Sequence, residues 1–406
     1  MDGTIDDDFI LIDHPCRPPT TSATSTTPSY LPTISTHINH LSPKLRDISL
    51  AIHDNPELNY EEFKAYALLV GFFKGLEGWK VEEKACGIET AFIAVFDNTG
   101  GKGKGGRKRV HSTSTTYAPS NTNTHPPGGG GKIALLNAGA YAKHNVDISL
   151  ISHPGITPDA SLVRTSAFQA FRIEYFGREA HAAAAPWEGI NALDALITAY
   201  TSISVLRQQT QSGDIIQGCI TQGGVKPNII HAYASGDFVV RSTTKQRLEA
   251  LKKRVDKCFE GAAVATGAKL KMTLQSRYLD HVPNVPLGRG YAKHFTALGG
   301  KLQAPEMELL TGSTQASTDQ GDISHAMPSI SAGFRIESVA EDGGRGGGPH
   351  TPDFTRASRT EKAHEKALMV GKALAATAVD VLTVEGYLEE IKKEFKRGRE
   401  QIAEVK

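Results

Sequence analysis

Alternation of apolar and polar residues predicts a compact unit in the middle of the chain. Four segments alternate as strands with one exposed face do, and two others repeat apolar residues at helical spacing. The strands are FQAFRIEYFG, DIIQGCIT, ASGDFVVRST and KLKMTLQSRY, and the helices are NALDALITAYTSISVL and KQRLEALKKRVDKCFEGAAVATG. Their order, β-α-β-β-α-β, predicts a small two-layer domain with the split βαβ arrangement.

The two helices of this unit each carry an apolar stripe that we expect to be buried. The predicted stripe of the first helix comprises Leu193, Leu196, Ile197, Tyr200 and Ile203. The predicted stripe of the second helix comprises Leu248, Leu251, Val255 and Cys258, and that helix ends at Gly267.

The flanking parts of the chain begin with helix signals. Ser42 followed by Pro43 predicts a helix start, with serine as the N-cap and proline in the first turn. Asn59 and Glu62 predict a second start, because each side chain can accept from the other's backbone N–H. A long alanine-rich helix is predicted over residues 357–384.

Two further strands are predicted between these helices. KIALL follows a run of four glycines, and DISLISHPG alternates Val146, Ile148 and Leu150 before a turn at His153-Pro154-Gly155. The flanks therefore predict one discontinuous domain that the β-α-β-β-α-β unit interrupts.

These patterns divide the chain into segments of different character. The Ser-, Thr- and Pro-rich start buries too little to offset its ordering entropy, which predicts a disordered arm. The predicted division is an arm at 1–40, a discontinuous domain at 41–165 and 280–390, a low-complexity loop at 97–131, an inserted domain at 166–279, and a charged C-terminal tail at 391–406.

Composition narrows the class of protein. The chain has 406 residues, 39% hydrophobic residues and a formal net charge of +1, so neither nucleic acid nor a membrane is expected as a partner. Four scattered cysteines without a CxxC pair predict reduced thiols. The start lacks a basic, apolar leader and no stretch is long enough to span a bilayer, so we expect a cytoplasmic protein.

The loop at 97–131 contains a basic run, Lys102 to Arg109. Such a run is compatible with nucleic-acid binding, but no aromatic residues accompany it for base stacking, which favours a solvated loop. The stretch GKGKGGRK lacks the GK[ST] ending of a phosphate-binding loop, and the chain has no GxSxG nucleophile elbow.

Histidines remain as candidates for chemistry. His153 closes a strand, His181 follows a strand end, and His350 lies in a glycine-rich loop. Each of them taken alone is more typical of a surface residue than of a ligand. Asp319 is equally compatible with a functional carboxylate and with a turn.

Six collinear segments together resemble the M20 family of metallopeptidases and amidohydrolases. They are IHDNPELNYEE, DISLISHPG, GREAHAAAAPWEGINALDALITAY, GGVKPNII, STDQGDISHAMPSI and HTPDF. The resemblance covers roughly residues 41–390, except 97–127. It implies a mixed α/β fold, with a discontinuous two-metal-hydrolase catalytic domain and an inserted ferredoxin-like β-α-β-β-α-β lid domain.

The resemblance also implies an activity, a cofactor and a partner. Family members hydrolyse an amide bond, here in a dipeptide or an N-acyl amino acid, with water activated between two divalent ions, typically zinc or manganese. A glutamate acts as general base, and the ions stabilise the tetrahedral intermediate. The lid usually forms a homodimer.

Site residues follow from the resemblance position by position. His153 and His350 match metal ligands. His181 matches the lid histidine that reaches the neighbouring copy's site to contact the substrate or the oxyanion. Asn228 and Arg241 match lid positions near the substrate carboxylate.

Two family motifs are absent from this chain. One supplies a cysteine and a histidine ligand, and the other supplies two glutamates, the general base and a further ligand. Pro126-Pro127 stand where the acids are expected. Two histidines are too few for a zinc site, which takes three or four protein ligands, and loss of a general base costs about 10²–10⁴-fold in rate.

Two explanations of the missing motifs stay open. One is a non-catalytic protein that keeps the lid and its dimer surface and acts by binding. The other is a segment missing only from this copy of the sequence. The retained HPG, AHAAAAPWEG and HTPDF segments, together with low-complexity sequence inside a core fold, favour the second explanation.

Overall fold

The computed structural model describes residues 30–58, 60–96, 110–111 and 130–404, so the predicted capping residue Asn59 and the first 29 residues of the predicted arm lie outside it. The helices are α1 (Leu31–His53), α2 (Phe63–Lys74), α3 (Gly131–Asn137), α4 (Ala140–Lys143), α5 (Ala192–Leu206), α6 (Lys245–Thr266), α7 (Val285–Ala297), α8 (Pro305–Thr311), α9 (Gln320–Ala326), α10 (Pro352–Ser358), α11 (Glu361–Thr383) and α12 (Tyr387–Glu404). The strands are β1 (Trp79–Glu83), β2 (Phe92–Phe96), β3 (Val110–His111), β4 (Ile148–Gly155), β5 (Arg164–Thr165), β6 (Ala167–Phe176), β7 (Ala180–His181), β8 (Ile215–Gln222), β9 (Ile229–Ile230), β10 (Tyr233–Ser242), β11 (Lys269–Tyr278), β12 (Ser313–Thr314) and β13 (Ser329–Arg335).

The middle of the chain forms an antiparallel sheet in the order β11-β6-β10-β8. Helices α5 and α6 pack together on one face of this sheet over a core that includes Phe171, Phe238 and Phe259. The ring of Phe259 meets the other two edge-on at 5.9 and 4.9 Å. The predicted β-α-β-β-α-β order is therefore confirmed, and we call this unit the lid.

The predicted stripe of α5 is only partly correct. Leu196 and Ile203 are buried as expected, but Ile197 and Tyr200 are exposed. Ala192, Ala195 and Ala199 take the remaining buried positions. Small side chains allow α5 to pack closely, and two apolar residues are left on its outer surface. The predicted stripe of α6 is buried at Leu248, Leu251 and Val255, and Cys258 packs against it.

The second main sheet is parallel and has the order β13-β4-β3. Helices α7, α11 and α12 pack on it over a core containing the stacked rings of Tyr291 and Phe295. Both parallel and antiparallel sheets occur, so the mixed α/β class is confirmed. Among the residues described, no single helix is both long and apolar enough to cross a membrane.

The prediction of a strand for the KIALL segment is wrong, because this segment lies in helix α3. Gly130 precedes α3 with a left-handed φ of +55°, and the Asp319 carboxylate accepts from the Lys132 N–H in the first turn at 3.0 Å. A short apolar run does not distinguish a strand from a buried helix. Here a distant carboxylate stabilises the helical N-terminus.

Three predicted boundaries also differ from the structure. Helix α1 begins at Leu31 rather than at Ser42, so Pro43 lies inside it and the arm does not reach residue 40. The charged tail predicted over 391–406 continues helix α12, whose Ile391 is fully buried. Within the predicted loop, Val110–His111 pairs with β4, and residues 97–109 and 112–129 lie outside the described part.

Two chain segments join the lid to the parallel sheet. The entering segment carries Thr165, and the leaving segment carries His281. The backbone N–H of His281 donates to Thr165 Oγ1 at 3.1 Å, and its buried ring bonds to the Val163 carbonyl at 2.7 Å. These contacts tie both connections together beside the edge of the parallel sheet.

Candidate active site

His153 lies near the carboxyl end of β4, which is flanked by the parallel strands β3 and β13. Ligands of open parallel sheets bind beyond these strand ends. Ser331 on β13 contacts the ring, with its Oγ 2.7 Å from His153 Nδ1. This hydrogen bond orients the imidazole and leaves Nε2 for a ligand.

The surroundings of His153 favour its neutral form. Burial by the surrounding protein and the ammonium of Lys132 lower the pKa of His153 below its usual value, while the Asp319 carboxylate opposes them. The residue is nevertheless exposed at the surface, where water limits the effect of burial. A neutral imidazole has a ring nitrogen available to bind a metal or to accept a hydrogen bond.

Lys132 and Asp319 form a nearly buried ion pair close to His153. Lys132 Nζ lies 2.5 Å from Asp319 Oδ1, and the two side chains are 5% and 13% exposed. The other carboxylate oxygen accepts from the Lys132 N–H. Asp319 is thus neither a simple turn residue nor a free carboxylate, because it holds the start of α3 beside His153.

His350 lies in the glycine-rich loop that follows β13. It is exposed and has a left-handed φ of +71°. The loop is close-packed, since a Cβ added to Gly346 would lie 2.4 Å from Ser338 Oγ. A Cβ on Gly348 would lie 3.3 Å from Ile156, three residues after His153. The glycines therefore bring the His350 loop alongside the end of β4.

His181 and Asn228 lie together on the lid. Strands β7 and β9 pair His181 with Ile229, and Ala182 N donates to the Asn228 carbonyl at 3.0 Å. His181 Nδ1 accepts from the N–H groups of Ala183 and Ala184 at 3.2 and 3.1 Å. With Nδ1 as acceptor, the proton of the neutral ring is on Nε2, which presents a donor at the exposed surface.

Arg241 lies at the opposite end of the lid sheet. Its Nη1 donates to the Gln315 carbonyl at 3.2 Å and to Ser317 Oγ at 2.9 Å, and its guanidinium stacks 5.0 Å from the Phe168 ring centre. Burial lowers the pKa of Arg241. The eight residues from Tyr233 to Arg241 extend over roughly 26 Å of β10, so Arg241 and His181 of one copy do not contact the same small ligand.

The donor groups described do not fit a metal pair. Among residues 30–58, 60–96, 110–111 and 130–404, no three His, Cys, Asp or Glu side chains come together in a way that could hold a metal. Asp319, the carboxylate near His153, is already bound to an ammonium. Pro126-Pro127 and the basic run Lys102 to Arg109 fall outside the described residues.

Sequence reasoning missed Lys132, Ser331 and Tyr278 as parts of this region. Tyr278, at the end of the lid strand β11, accepts from the Gly130 N–H at 3.2 Å. Their chain separations leave no local spacing signal, and only the fold brings them to His153. The glycine run before Lys132 was the sole indication that the backbone is closely approached there.

Comparisons with known proteins agree with this fold. The peptidase dimerisation domain family matches residues 165–266. The chain is 32% identical to Xaa-Arg dipeptidase of Mus musculus, over 88% of this chain and 90% of that protein. It is 25% identical to a chain of the p-aminobenzoyl-glutamate hydrolase of Escherichia coli (strain K12), over 66% of this chain and 65% of that one.

A solved structure resembles the fold over most of the chain. It is an aminobenzoyl-glutamate utilization protein from Klebsiella pneumoniae, with a TM-score of 0.61 at 14% identity. The similarity covers 87% of this chain and 99% of that one. It extends across both the parallel sheet and the lid.

Proposed function

Since this chain belongs to the M20 family of peptidases and amidohydrolases, we propose that it recognises dipeptides or N-acyl amino acids beside His153. In the chain as written, the centre for a divalent metal, zinc or manganese, is incomplete, so it binds these ligands and hydrolyses them slowly. One observation carries this proposal. The loops of His153 and His350 lie side by side, yet the nearest carboxylate is held by Lys132.

Each candidate residue has a role that its geometry supports. The Nε2–H of His181 donates to the ligand's carbonyl oxygen. Asn228 and Arg241 contact its carboxylate, each from a different copy of the lid. His153 and His350 are the two imidazoles available to a metal, fewer than the three or four ligands that zinc takes. The names of the mouse and bacterial relatives favour a dipeptide ending in arginine or an acylated amino acid as the ligand.

Ligand binding tests this proposal without requiring turnover. We expect alanyl-arginine to bind saturably in calorimetry, and His181→Ala to weaken binding about 10-fold, the value of one good hydrogen bond. His40→Ala, which removes an exposed histidine of α1, is the matched control and should leave the affinity unchanged. No saturable binding of any dipeptide or N-acyl amino acid would sink the proposal.

We further propose that the lid forms a homodimer along β8. This strand is an edge of the lid sheet, so its outer backbone groups are available to a second strand. Ile197 and Tyr200 of α5 and Ile220 of β8 form an exposed apolar strip beside that edge. A second copy related by a two-fold axis would pair edge with edge and cover the strip.

Charge introduced on this strip should separate the copies. Ile220→Lys places like charges close together across the two-fold axis, and we expect a dimer-to-monomer change in light scattering after gel filtration. The control is Leu274→Lys on β11, the other edge, where a 59% exposed leucine is replaced. A dimer that survives the first change and dissociates with the second would place the interface at β11 instead.

A further inference from the structure

Two adjacent turns form a projection at one end of the lid. We define the tip as residues 181–189 and 222–228. Pairing of β7 with β9 and the bond from Ala182 N to the Asn228 carbonyl hold the two turns together. The tip therefore carries His181 and Asn228, the lid residues proposed to contact the ligand.

Backbone hydrogen bonds make the first turn of the tip rigid. Ala185 N donates to the His181 carbonyl at 3.1 Å, and Glu188 N donates to the Ala185 carbonyl at 3.1 Å. At its base, Arg178 and Ile190 exchange both backbone bonds at 2.9 Å. The turn has one backbone path and is held in place before any partner binds.

This rigid tip exposes two large apolar side chains. Trp187 is 77% exposed and Val225 is 79% exposed, although most large apolar residues of the lid are covered. An exposed tryptophan on a rigid turn is typical of an anchor in an interface, where indoles contribute much of the binding energy.

The tip lies too far from the site of its own chain to cover it. The chain leaves the site region at Ser166, which bonds to Ala316, and then follows β6 from Ala167 to Phe176. Those residues extend over roughly 30 Å at about 3.3 Å per residue. The tip begins beyond the far end of this strand, so a ligand at its own His153 is out of reach.

We propose that Trp187 and Val225 dock over the His153 site of a second copy, where the indole packs on the bound ligand. The proposal rests on the homodimer and the ligand class given above. Both residues lie within the stretch that matches the peptidase dimerisation domain, and they share a turn pair with His181. The ligand part that Trp187 covers is apolar, such as the methylene stem of an arginine or an acyl chain.

Trp187 fluorescence tests the docking directly. The chain has two tryptophans, and Trp79 packs among aromatic rings, 4.9 Å from Phe73 and 5.6 Å from Phe96. In Trp79→Phe, the emission reports on Trp187 alone. As the protein concentration is raised through dimer formation, we expect emission at shorter wavelength and several-fold weaker acrylamide quenching. Addition of alanyl-arginine should strengthen both changes.

If Trp79→Phe does not fold, the difference spectrum between the wild type and Trp187→Phe reports the same residue. Binding supplies a second readout: Trp187→Ala should weaken alanyl-arginine about 10-fold, Trp187→Phe should restore most of the affinity, and Leu274→Ala should have no effect. A dimer in which Trp187 stays fully quenchable overturns the docking and leaves the dimer standing. A monomer that binds the dipeptide overturns the docking and the dimer together, but not the ligand class.

Discussion

The chain as written should release arginine from an Xaa-Arg dipeptide at least 100-fold more slowly than mouse Xaa-Arg dipeptidase assayed beside it. The reason is chemical. Loss of a general base typically costs about 10²–10⁴-fold, and the two imidazoles of His153 and His350 do not complete a zinc site. The measurement is arginine release at saturating dipeptide, with added zinc or manganese.

The control for this comparison is ligand binding. The chain should still bind the dipeptide, so that slow release reflects a missing chemical step rather than an unfolded protein. A rate within about tenfold of the mouse enzyme would contradict the incomplete centre, since tenfold is smaller than the loss of a base.

The same comparison bears on the two explanations of the missing motifs. Sequencing the transcript between Phe96 and Gly130 decides between them. If it encodes further residues with a Cys-x-His motif and two adjacent glutamates, the longer chain should regain turnover. If it encodes the present residues only, the chain is a binding protein that has kept the lid.

Lys132→Met should lower the free energy of unfolding by about 3–5 kcal/mol, because it leaves the Asp319 carboxylate buried without its cation. The side chains of this pair are 5% and 13% exposed, so water offers little compensation. Urea unfolding followed by circular dichroism measures the change. The start of α3 should loosen as well, since Asp319 also holds the Lys132 N–H.

Lys143→Met is the matched control for this variant. Lys143 pairs with Glu82 at 2.7 Å, but it is 60% exposed. A surface pair of this kind contributes at most about 1 kcal/mol. If both variants lose the same small amount, the Lys132–Asp319 pair does not stabilise the site region, and its role assigned here is wrong.

The lid could be predicted from the sequence because its signals are local. Alternation in β6 and helical spacing in α6 describe burial on one face of a single element, and no distant contact is needed to interpret them. The exposed positions Ile197 and Tyr200 were mispredicted for the same reason. Spacing shows that an apolar face exists, but it does not show whether the same chain or a second copy covers it.

The surroundings of His153 could not be predicted, because they depend on contacts far apart in the chain. Lys132 and Asp319 are 187 positions apart, and His153 and Ser331 are 178 apart. The short segment KIALL illustrates the consequence. Its apolar residues suit a strand, but the Asp319 carboxylate caps it as a helix.

The metal content of the purified chain tests the incomplete centre most directly. After expression with zinc and manganese in the medium and removal of loosely bound ions, elemental analysis should find less than one divalent ion per chain. Two ions per chain, retained through dialysis and lost together with dipeptide hydrolysis on chelation, would contradict the account.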